Sequence, residues 1–236
     1  MSSPGPVNPP AVIEDMKKYY QARAPEYDEW FLRKGRYDHG AEANSRWFAD
    51  VALVQRALDN FCMEGEIAEI ACGTGNWTVE LLHHAGHILA VDASPEMIRI
   101  NGEKAADSRV TYLLHDIFEW QPNRIFDGLF FGFWISHVPL QKMDGFLGQC
   151  KSLLKPGGKI FFVDSRPDPT MSASNHTLPE PGSEIMKRKL NDGREFDIVK
   201  NFFDQESLEA QCLRAGLKVE VKQTPHYFIY AQGRAL

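Results

Sequence analysis

The sequence predicts an α/β fold, built as a doubly wound parallel sheet with helices on both faces. Three observations support this prediction. Apolar strands alternate with apolar-periodic helices between residues 66 and 164. The first of these strands breaks into a tight glycine loop, residues 72–75, and a helix follows it. The second strand, residues 87–91, ends in Asp92, and ligands bind at this carboxyl edge of such sheets.

Two helices are expected before the sheet. Residues 12–27 place apolar and aromatic side chains at helical intervals, and Pro25 ends or kinks that helix. Residues 44–61 form a second amphipathic helix that packs against the sheet. The preceding tail, residues 1–11, is rich in proline and serine and is predicted to be disordered.

The glycine loop indicates a site for a ribose-bearing ligand without a pyrophosphate. An acidic residue that ends the second strand, about 20 residues after the loop, suits the two hydroxyls of a ribose, and Asp92 is such a residue. The loop lacks the fingerprint G-x-G-x-x-G, since Asn76 and Thr78 stand where its later glycine would be sought. No G-K-[ST] of a P-loop follows. A pyrophosphate would therefore lack its usual cradle.

The alternation of helices and strands continues after the glycine loop. Trp77 begins the next helix and Gly86 is expected to stop it. Ser94 caps the following helix, with Pro95 in its first turn. The later predictions are strands over residues 110–114 and 126–133, a helix over 139–153 ended by residues 155–158, and a strand over 159–164.

The last third of the chain combines a lid with a closing hairpin. Residues 165–203 begin with a long loop rich in Pro, Ser, Asp and Asn, which is typical of a functional or mobile segment. Within them Asn191-Asp192-Gly193 indicates a β-hairpin, and this insertion is expected to roof a substrate pocket. A helix that begins at Asp204 or Ser207 and ends at Gly216 precedes two strands, residues 217–223 and 226–231, which pair as a hairpin.

With these motifs the chain resembles the class I S-adenosylmethionine-dependent methyltransferases of the small-molecule type. Four matches occur in order along residues 12–234. The family's first motif has the form acidic-x-G-x-G-x-G, and this chain has Ala71 in place of the first glycine. The matching residues are Glu69, Ala71, Gly73 and Gly75 for the first motif, Asp92 for the ribose-binding acid, Asp116-Ile117 for the pair beside the adenine, and residues 153–163 for the helix end, turn and fifth strand.

The resemblance implies a fold, a domain organisation and an activity. It implies a Rossmann-like seven-stranded sheet in the order 3-2-1-4-5-7-6 with the last strand antiparallel. Residues 12–236 would form a single methyltransferase domain, with a flap over residues 12–40 and the lid over 165–203. The enzyme would move a methyl group from S-adenosyl-L-methionine to an O, N or C nucleophile of a metabolite by in-line displacement, leaving S-adenosyl-L-homocysteine.

The resemblance also implies a set of cofactor contacts. Asp116 would meet the adenine amine and Ile117 would pack on the ring. In the flap, the guanidinium fork of Arg23 would meet the cofactor's carboxylate. The full expected set is Tyr20, Arg23, Glu69, Ala71, Cys72, Gly73, Gly75, Asn76, Trp77, Asp92, Ala93, Met97, Asp116, Ile117, Phe133 and Trp134.

His137 is the candidate catalytic residue. It follows the fourth strand, where the family places residues that face both cofactor and substrate, and an imidazole can act as a base near neutral pH. The competing interpretation is a structural histidine that only makes hydrogen bonds. The expected substrate-binding residues are Tyr27, Tyr37, His137, His176 and Arg188.

The composition of the chain limits the kinds of partner that the protein is expected to bind. The 236-residue chain has a net charge of −6, which disfavours a nucleic-acid surface. Its four cysteines lack metal-site spacing, so free thiols in a reducing cytoplasm and no metal are expected. No apolar run reaches membrane-spanning length, so no membrane association is expected, and the protein would be a monomer or homodimer.

Two other functions compete with a methyltransferase. A catalytically silent S-adenosylmethionine-binding regulatory protein would keep the glycine loop and Asp92 without turnover. A nicotinamide-dependent oxidoreductase is disfavoured, because a third glycine is missing and no Tyr-x-x-x-Lys pair follows the fourth strand. No N-P-P-Y run follows that strand either, which disfavours the methyltransferases that act on nucleic-acid or protein amides and amines.

Overall fold

The computed structural model describes residues 9–176, 178–179 and 182–236. Its helices are α1 (Pro9–Arg23), α2 (Tyr27–Phe31), α3 (Ala41–Phe61), α4 (Thr78–Leu81), α5 (Pro95–Ala105), α6 (Met143–Ser152) and α7 (Gln205–Arg214). Its strands are β1 (Gly65–Ile70), β2 (Ala85–Asp92), β3 (Val110–Leu114), β4 (Phe126–Gly132), β5 (Leu154–Ser165), β6 (Ile185–Lys189), β7 (Glu195–Val199), β8 (Leu217–Gln223) and β9 (Phe228–Ala235). Short 3₁₀ turns cover Ala24–Glu26, Gly35–Tyr37, Ile135–His137, Leu140–Lys142 and Pro169–Met171.

Seven strands form one sheet in the order β3-β2-β1-β4-β5-β9-β8. The five strands β1 to β5 are paired in parallel, whereas β9 runs antiparallel to both β5 and β8. A short turn joins β8 to β9, and such a connection requires an antiparallel pair, while the parallel pairs need longer crossovers. The predicted Rossmann-like sheet, with its last strand antiparallel, is confirmed.

The central strands are buried on both faces, so consecutive side chains enter different cores. On one face Ile67 and Phe130 pack with Trp47 of α3. On the other face Leu129 and Phe131 pack with residues of α6 and α7. Burying each large apolar side chain contributes roughly 2–3 kcal/mol, so these strands hold the carboxyl edge in place.

A cover lies over that carboxyl edge. The predicted hairpin forms, since β6 and β7 pair antiparallel on either side of residues 190–194. Met16 and Tyr19 of α1 pack with Ile198 in a separate apolar cluster. The carboxylate of Asp15 accepts a hydrogen bond from the backbone N–H of Asp197 at 2.9 Å. Helix α1 and the hairpin are therefore held together over the site.

Several predicted boundaries are wrong for identifiable reasons. Gly86 lies inside β2 and does not stop a helix. Glycine suits this position because a Cβ there would lie only 3.3 Å from the carbonyl oxygen of Gly65 on the neighbouring strand β1. Residues 9–11 of the predicted tail belong to α1, and the remaining residues 1–8 lie outside the described residues. Strand β5 begins at Leu154, so the predicted turn over 155–158 lies within the strand's span.

Candidate active site

Three adjoining cavities lie between the carboxyl edge of the sheet and the cover. The empty space in them, including the part that is open to solvent, is about 760 Å³ in the first, about 540 Å³ in the second and about 320 Å³ in the third. Tyr27 and Phe133 line all three cavities, while Tyr20 and His137 line the first and the second.

The first cavity is built around Asp92 at the end of β2. Oδ2 of Asp92 accepts a hydrogen bond from the backbone N–H of Gly73, and Oδ1 accepts one from that of Ser94, both at 2.9 Å. Burial raises the pKa of Asp92, although these backbone hydrogen bonds oppose the shift. Each carboxylate oxygen can still accept another hydrogen bond. Asp92 therefore fits a ligand with two neighbouring hydroxyls, as a ribose has.

The two glycines of the loop have different functions. Gly73 lines the first and third cavities, and a Cβ there would meet no atom closer than 4.0 Å, so its surroundings are open. A Cβ at Gly75 would lie 2.7 Å from Oδ1 of Asn101 on α5, and Gly75 has a φ of +87°. Gly75 therefore allows α5 to approach the loop, and it is not among the described residues that line the three cavities.

Glu69 is a buried carboxyl group on the wall of the third cavity. Its side chain accepts a hydrogen bond from the hydroxyl of Thr78 at 2.7 Å. Burial raises the pKa of Glu69 to about 8, opposed by that hydrogen bond and assisted by the charge of Asp92. Within the described part of the chain no cationic side chain pairs with Glu69. The site therefore fits a ligand that carries its own positive charge.

The far end of the first cavity contains Asp116 and Ile117, directly after β3. Oδ1 of Asp116 accepts from the backbone N–H of Phe118 at 2.9 Å, and Oδ2 accepts from Nζ of Lys17 at 3.1 Å. Lys17 and Ile13 come from α1, so that helix closes the cavity from above. Sequence reasoning missed Lys17, although its spacing from Ile13 and Tyr20 on one helix face was a usable signal.

A polar clasp joins the cover to the glycine loop. Oδ1 of Asp28 accepts from the hydroxyl of Thr74 at 2.6 Å and from Nδ2 of Asn76 at 3.1 Å. Oδ2 accepts from Nζ of Lys104 on α5 at 2.7 Å. Burial alone would raise the pKa of Asp28, but the hydrogen bonds from Lys104 and Thr74 bring it below its ordinary value. No sequence motif indicated this clasp, because its members come from three distant segments.

His137 makes two hydrogen bonds where the first and second cavities meet. Nδ1 lies 2.6 Å from the carbonyl oxygen of Val199, which only accepts, so Nδ1 carries the proton. Nε2 then accepts from the hydroxyl of Tyr20 at 2.7 Å. Burial, reinforced by the charge of Lys200, lowers the pKa of His137 to about 3. The ring is therefore neutral near pH 7 and only weakly basic, which favours the structural interpretation of His137 over the predicted base; the catalytic role stays a prediction.

Most of the residues expected to bind substrate line the second cavity. Tyr27, Tyr37 and Arg188 line it together with His137. Arg23 lines this cavity and is not among the described residues of the first. His176 lies behind the wall, where its Nδ1 accepts from Nη1 of Arg188 at 3.0 Å.

The other expected cofactor contacts divide between two cavities. The first cavity is lined by Tyr20, Ala71, Gly73, Asp92, Ala93, Met97, Asp116, Ile117, Phe133 and Trp134. The third is lined by Glu69, Ala71, Cys72, Gly73, Asn76, Trp77 and Phe133. Phe133 adopts a positive φ of 56°, a backbone conformation that few residues with a side chain adopt, directly after β4.

Residues 9–176, 178–179 and 182–236 hold no group of three or more His, Cys, Asp or Glu side chains that could bind a metal ion. None of their helices is both long and apolar enough to cross a membrane.

Comparison with known proteins adds independent information. Residues 67–158 match a family model described as a methyltransferase domain. Ubiquinone biosynthesis O-methyltransferase of Xanthomonas euvesicatoria pv. vesicatoria is 27% identical over 159 residues, which cover 65% of this chain and 63% of that protein. Demethylmenaquinone methyltransferase of Staphylococcus saprophyticus is 30% identical over 105 residues, covering 41% of this chain and 43% of that protein. The chain thus spans less than two thirds of the length of these relatives.

A solved structure matches over almost the whole chain. The complex of DhpI with SAM and HEP is 30% identical, has a TM-score of 0.79, and covers 99% of this chain and 100% of its own. The match therefore extends well beyond residues 67–158 of the family model.

Proposed function

The chain belongs to the class I S-adenosylmethionine-dependent methyltransferases, and from this membership we propose that it methylates an oxygen, nitrogen or carbon nucleophile of a small molecule bound in the second cavity. S-adenosyl-L-methionine is its cofactor. The observation that carries the proposal is the meeting of three cavities at Tyr27 and Phe133. A cofactor and an acceptor can both reach this junction from different sides.

The cofactor would occupy the first and third cavities. Asp92 would accept hydrogen bonds from its ribose hydroxyls, and Asp116 would accept from its adenine amine. The buried carboxyl of Glu69 would pair with the ammonium of its amino-acid end, because no cation in the described part of the chain serves that carboxyl. Arg23, expected to contact the cofactor, would instead contact the acceptor, since it lines the second cavity.

The residues at the junction would align the reactants and exclude water. When bound, the cofactor supplies a methyl carbon on a positively charged sulfur. The rings of Tyr27, Phe133 and Tyr20 enclose the junction, and aromatic faces favour a nearby cation. Positioning of this kind supplies much of the rate enhancement for a displacement in which charge disappears.

His137 would position Tyr20 and would not remove a proton. Its ring is neutral and both nitrogens are hydrogen-bonded, so the hydroxyl of Tyr20 is fixed between the two cavities. Tyr20 would then contact the reacting groups, while His137 would act through Tyr20.

Turnover tests the proposal. Protein incubated with S-adenosylmethionine carrying an isotope-labelled methyl group and a small-molecule filtrate should yield a labelled small molecule and S-adenosylhomocysteine. Asp92→Ala, which loses the ribose contact, should yield neither, while Asp144→Ala at an exposed position on α6 should match the wild type. Cofactor binding without any labelled product from a broad filtrate would contradict the proposal and favour the silent binding protein.

A further inference from the structure

The second cavity contains more positive charge than its described neighbours neutralise. Three cationic side chains line it, those of Arg23, Arg188 and Lys200. No aspartate or glutamate is among the described residues that line it. An unpaired charge away from water is strongly unfavourable unless a counter-charge and hydrogen bonds accompany it.

Arg23 is buried, with 6% of its surface exposed, and lacks a carboxylate partner in the described part of the chain. Its Nε atom has no hydrogen-bond partner, and Nη2 makes one long hydrogen bond of 3.4 Å to the hydroxyl of Tyr37. The guanidinium carbon lies 5.5, 4.8 and 5.8 Å from the ring centres of Tyr19, Tyr27 and Tyr37. These rings favour the cation but leave most of its five N–H donors available.

Arg188 presents a second guanidinium group to the same cavity. Its Nη1 donates to the hydroxyl of Ser172 at 2.9 Å and to Nδ1 of His176 at 3.0 Å, and its Nε has no partner among the described residues. Both acceptors are neutral, since burial and Arg188 itself lower the pKa of His176 to about 3. Burial and the nearby charge of Arg23 lower the pKa of Arg188. The two arginines therefore repel each other across the cavity.

Lys200, the third cationic side chain that lines this cavity, is already neutralised. Nζ of Lys200 lies 3.2 Å from Oδ1 of Asp164 and also donates to Ser136 and Ser165. Arg36 pairs with Glu26 at 3.0 Å. The uncompensated charge is thus that of Arg23 and Arg188.

We propose that the methyl acceptor carries a compact oxyanion, such as a carboxylate or a phosphoryl group, and that Arg23 and Arg188 bind this oxyanion in the second cavity. This inference rests on the proposed function and adds the substrate class. Guanidinium groups bind planar and tetrahedral oxyanions through paired hydrogen bonds, and two of them line this cavity. The bound anion would also relieve the repulsion between the two arginines.

Calorimetry on protein saturated with S-adenosylhomocysteine tests the anion site, with inorganic phosphate as the probe at constant ionic strength. We expect phosphate to bind to the wild type and to bind at least about tenfold more weakly to Arg188→Gln, because a hydrogen bond to a charged group is lost. Arg99→Gln removes an exposed arginine that pairs with Glu96 and Glu103, so its affinity should stay within about twofold. Equal phosphate affinity in the wild type and Arg188→Gln, or no binding by the wild type, would overturn the inference.

Turnover gives a second and independent readout. Acceptor panels that pair each small carboxylate or phosphate monoester with its neutral ester should show methylation of the anions only. With an anionic acceptor, Arg188→Gln should raise KM at least about tenfold while leaving the affinity for S-adenosylhomocysteine unchanged. Its unfolding temperature without ligand should not fall, because the variant removes an uncompensated charge. Turnover of neutral acceptors alone would refute the claim that the acceptor carries an oxyanion, while leaving the methyltransferase proposal intact.

Discussion

At the scale of single residues, the buried carboxyl group of Glu69 shows most clearly which kind of ligand the site suits, namely a positively charged one. Its carboxyl group is 1% exposed and has a pKa raised to about 8, so it keeps its proton at neutral pH when no ligand is present. Because the folded protein holds this proton more tightly than the unfolded chain does, Glu69 contributes most to stability at a pH below its ordinary pKa of 4.5. That contribution is lost as the pH rises from 4.5 through the folded-state pKa of about 8. The ligand-free protein should therefore lose stability over this range, and Glu69→Gln should not share this loss.

Binding of S-adenosylhomocysteine at pH 7 should release a proton from Glu69. The ammonium of the ligand would lower the pKa of the carboxyl group, which then ionises. Calorimetry in two buffers with different ionisation enthalpies measures this release. We expect close to one proton for the wild type and close to none for Glu69→Gln. The same apparent enthalpy in both buffers for the wild type would show that no cation reaches Glu69.

His137 should affect catalysis through position and not through proton transfer. His137→Asn keeps a donor near the carbonyl oxygen of Val199 but loses the acceptor for Tyr20. We expect it to lower kcat by less than about tenfold, whereas loss of a general base lowers kcat by about 10²–10⁴. Because the pKa of His137 is about 3, the pH–rate profile should show no step from this ring between pH 5 and 8. A step near pH 6.5 that disappears in His137→Asn would show instead that His137 acts as a general base.

At the scale of elements, the clasp between α2 and the glycine loop should control cofactor exchange. Asp28→Ala removes the acceptor shared by Thr74, Asn76 and Lys104, so the cover should open more easily. Stopped-flow measurements should show S-adenosylhomocysteine leaving about ten times faster, the effect of about 1.4 kcal/mol. Asp59→Ala is the matched control, because Asp59 is an exposed carboxylate bonded to His84 on the opposite end of the sheet. Equal dissociation rates for the wild type and Asp28→Ala would show that the clasp does not slow the release of S-adenosylhomocysteine.

The strand β4 should be the least tolerant element, because it lies at the centre of the sheet with both faces covered. Phe131 is fully buried, and its ring stacks on that of Phe162 at 4.8 Å. Phe131→Ala should reduce the free energy of unfolding by about 3–5 kcal/mol, measured by urea denaturation. Leu114→Ala, at a position on β3 that is 54% exposed, should change it by less than about 0.5 kcal/mol. Similar effects of the two variants would contradict the described packing.

At the scale of the whole molecule, the sequence predicted what local patterns determine. The strand pattern and the resemblance together predicted the sheet order, and the loop chemistry predicted Asp92 at its carboxyl edge. The contacts of Lys17, Asp28 and Lys200 were not predicted, because each joins segments far apart in the chain. The lowered pKa of His137 was not predicted for a related reason: its burial and its distance from Lys200 exist only in the folded protein. Arg23 lines the second cavity and not the first. This placement depends on the packing of α1 on the β6–β7 hairpin, which no local pattern specifies.

The central claim is that the first cavity, built on Asp92, binds the cofactor of a methyltransferase. Titration calorimetry with S-adenosylhomocysteine on the wild type, Asp92→Ala, Asp92→Asn and the exposed control Asp144→Ala tests it most directly. We predict binding by the wild type and Asp144→Ala, and affinity weaker by about 10²-fold in Asp92→Ala, which loses two hydrogen bonds to a charged group. Asp92→Asn, which keeps the shape, should lose affinity while remaining folded by circular dichroism. Undiminished binding by both Asp92 variants, or no binding by the folded wild type, would contradict the account.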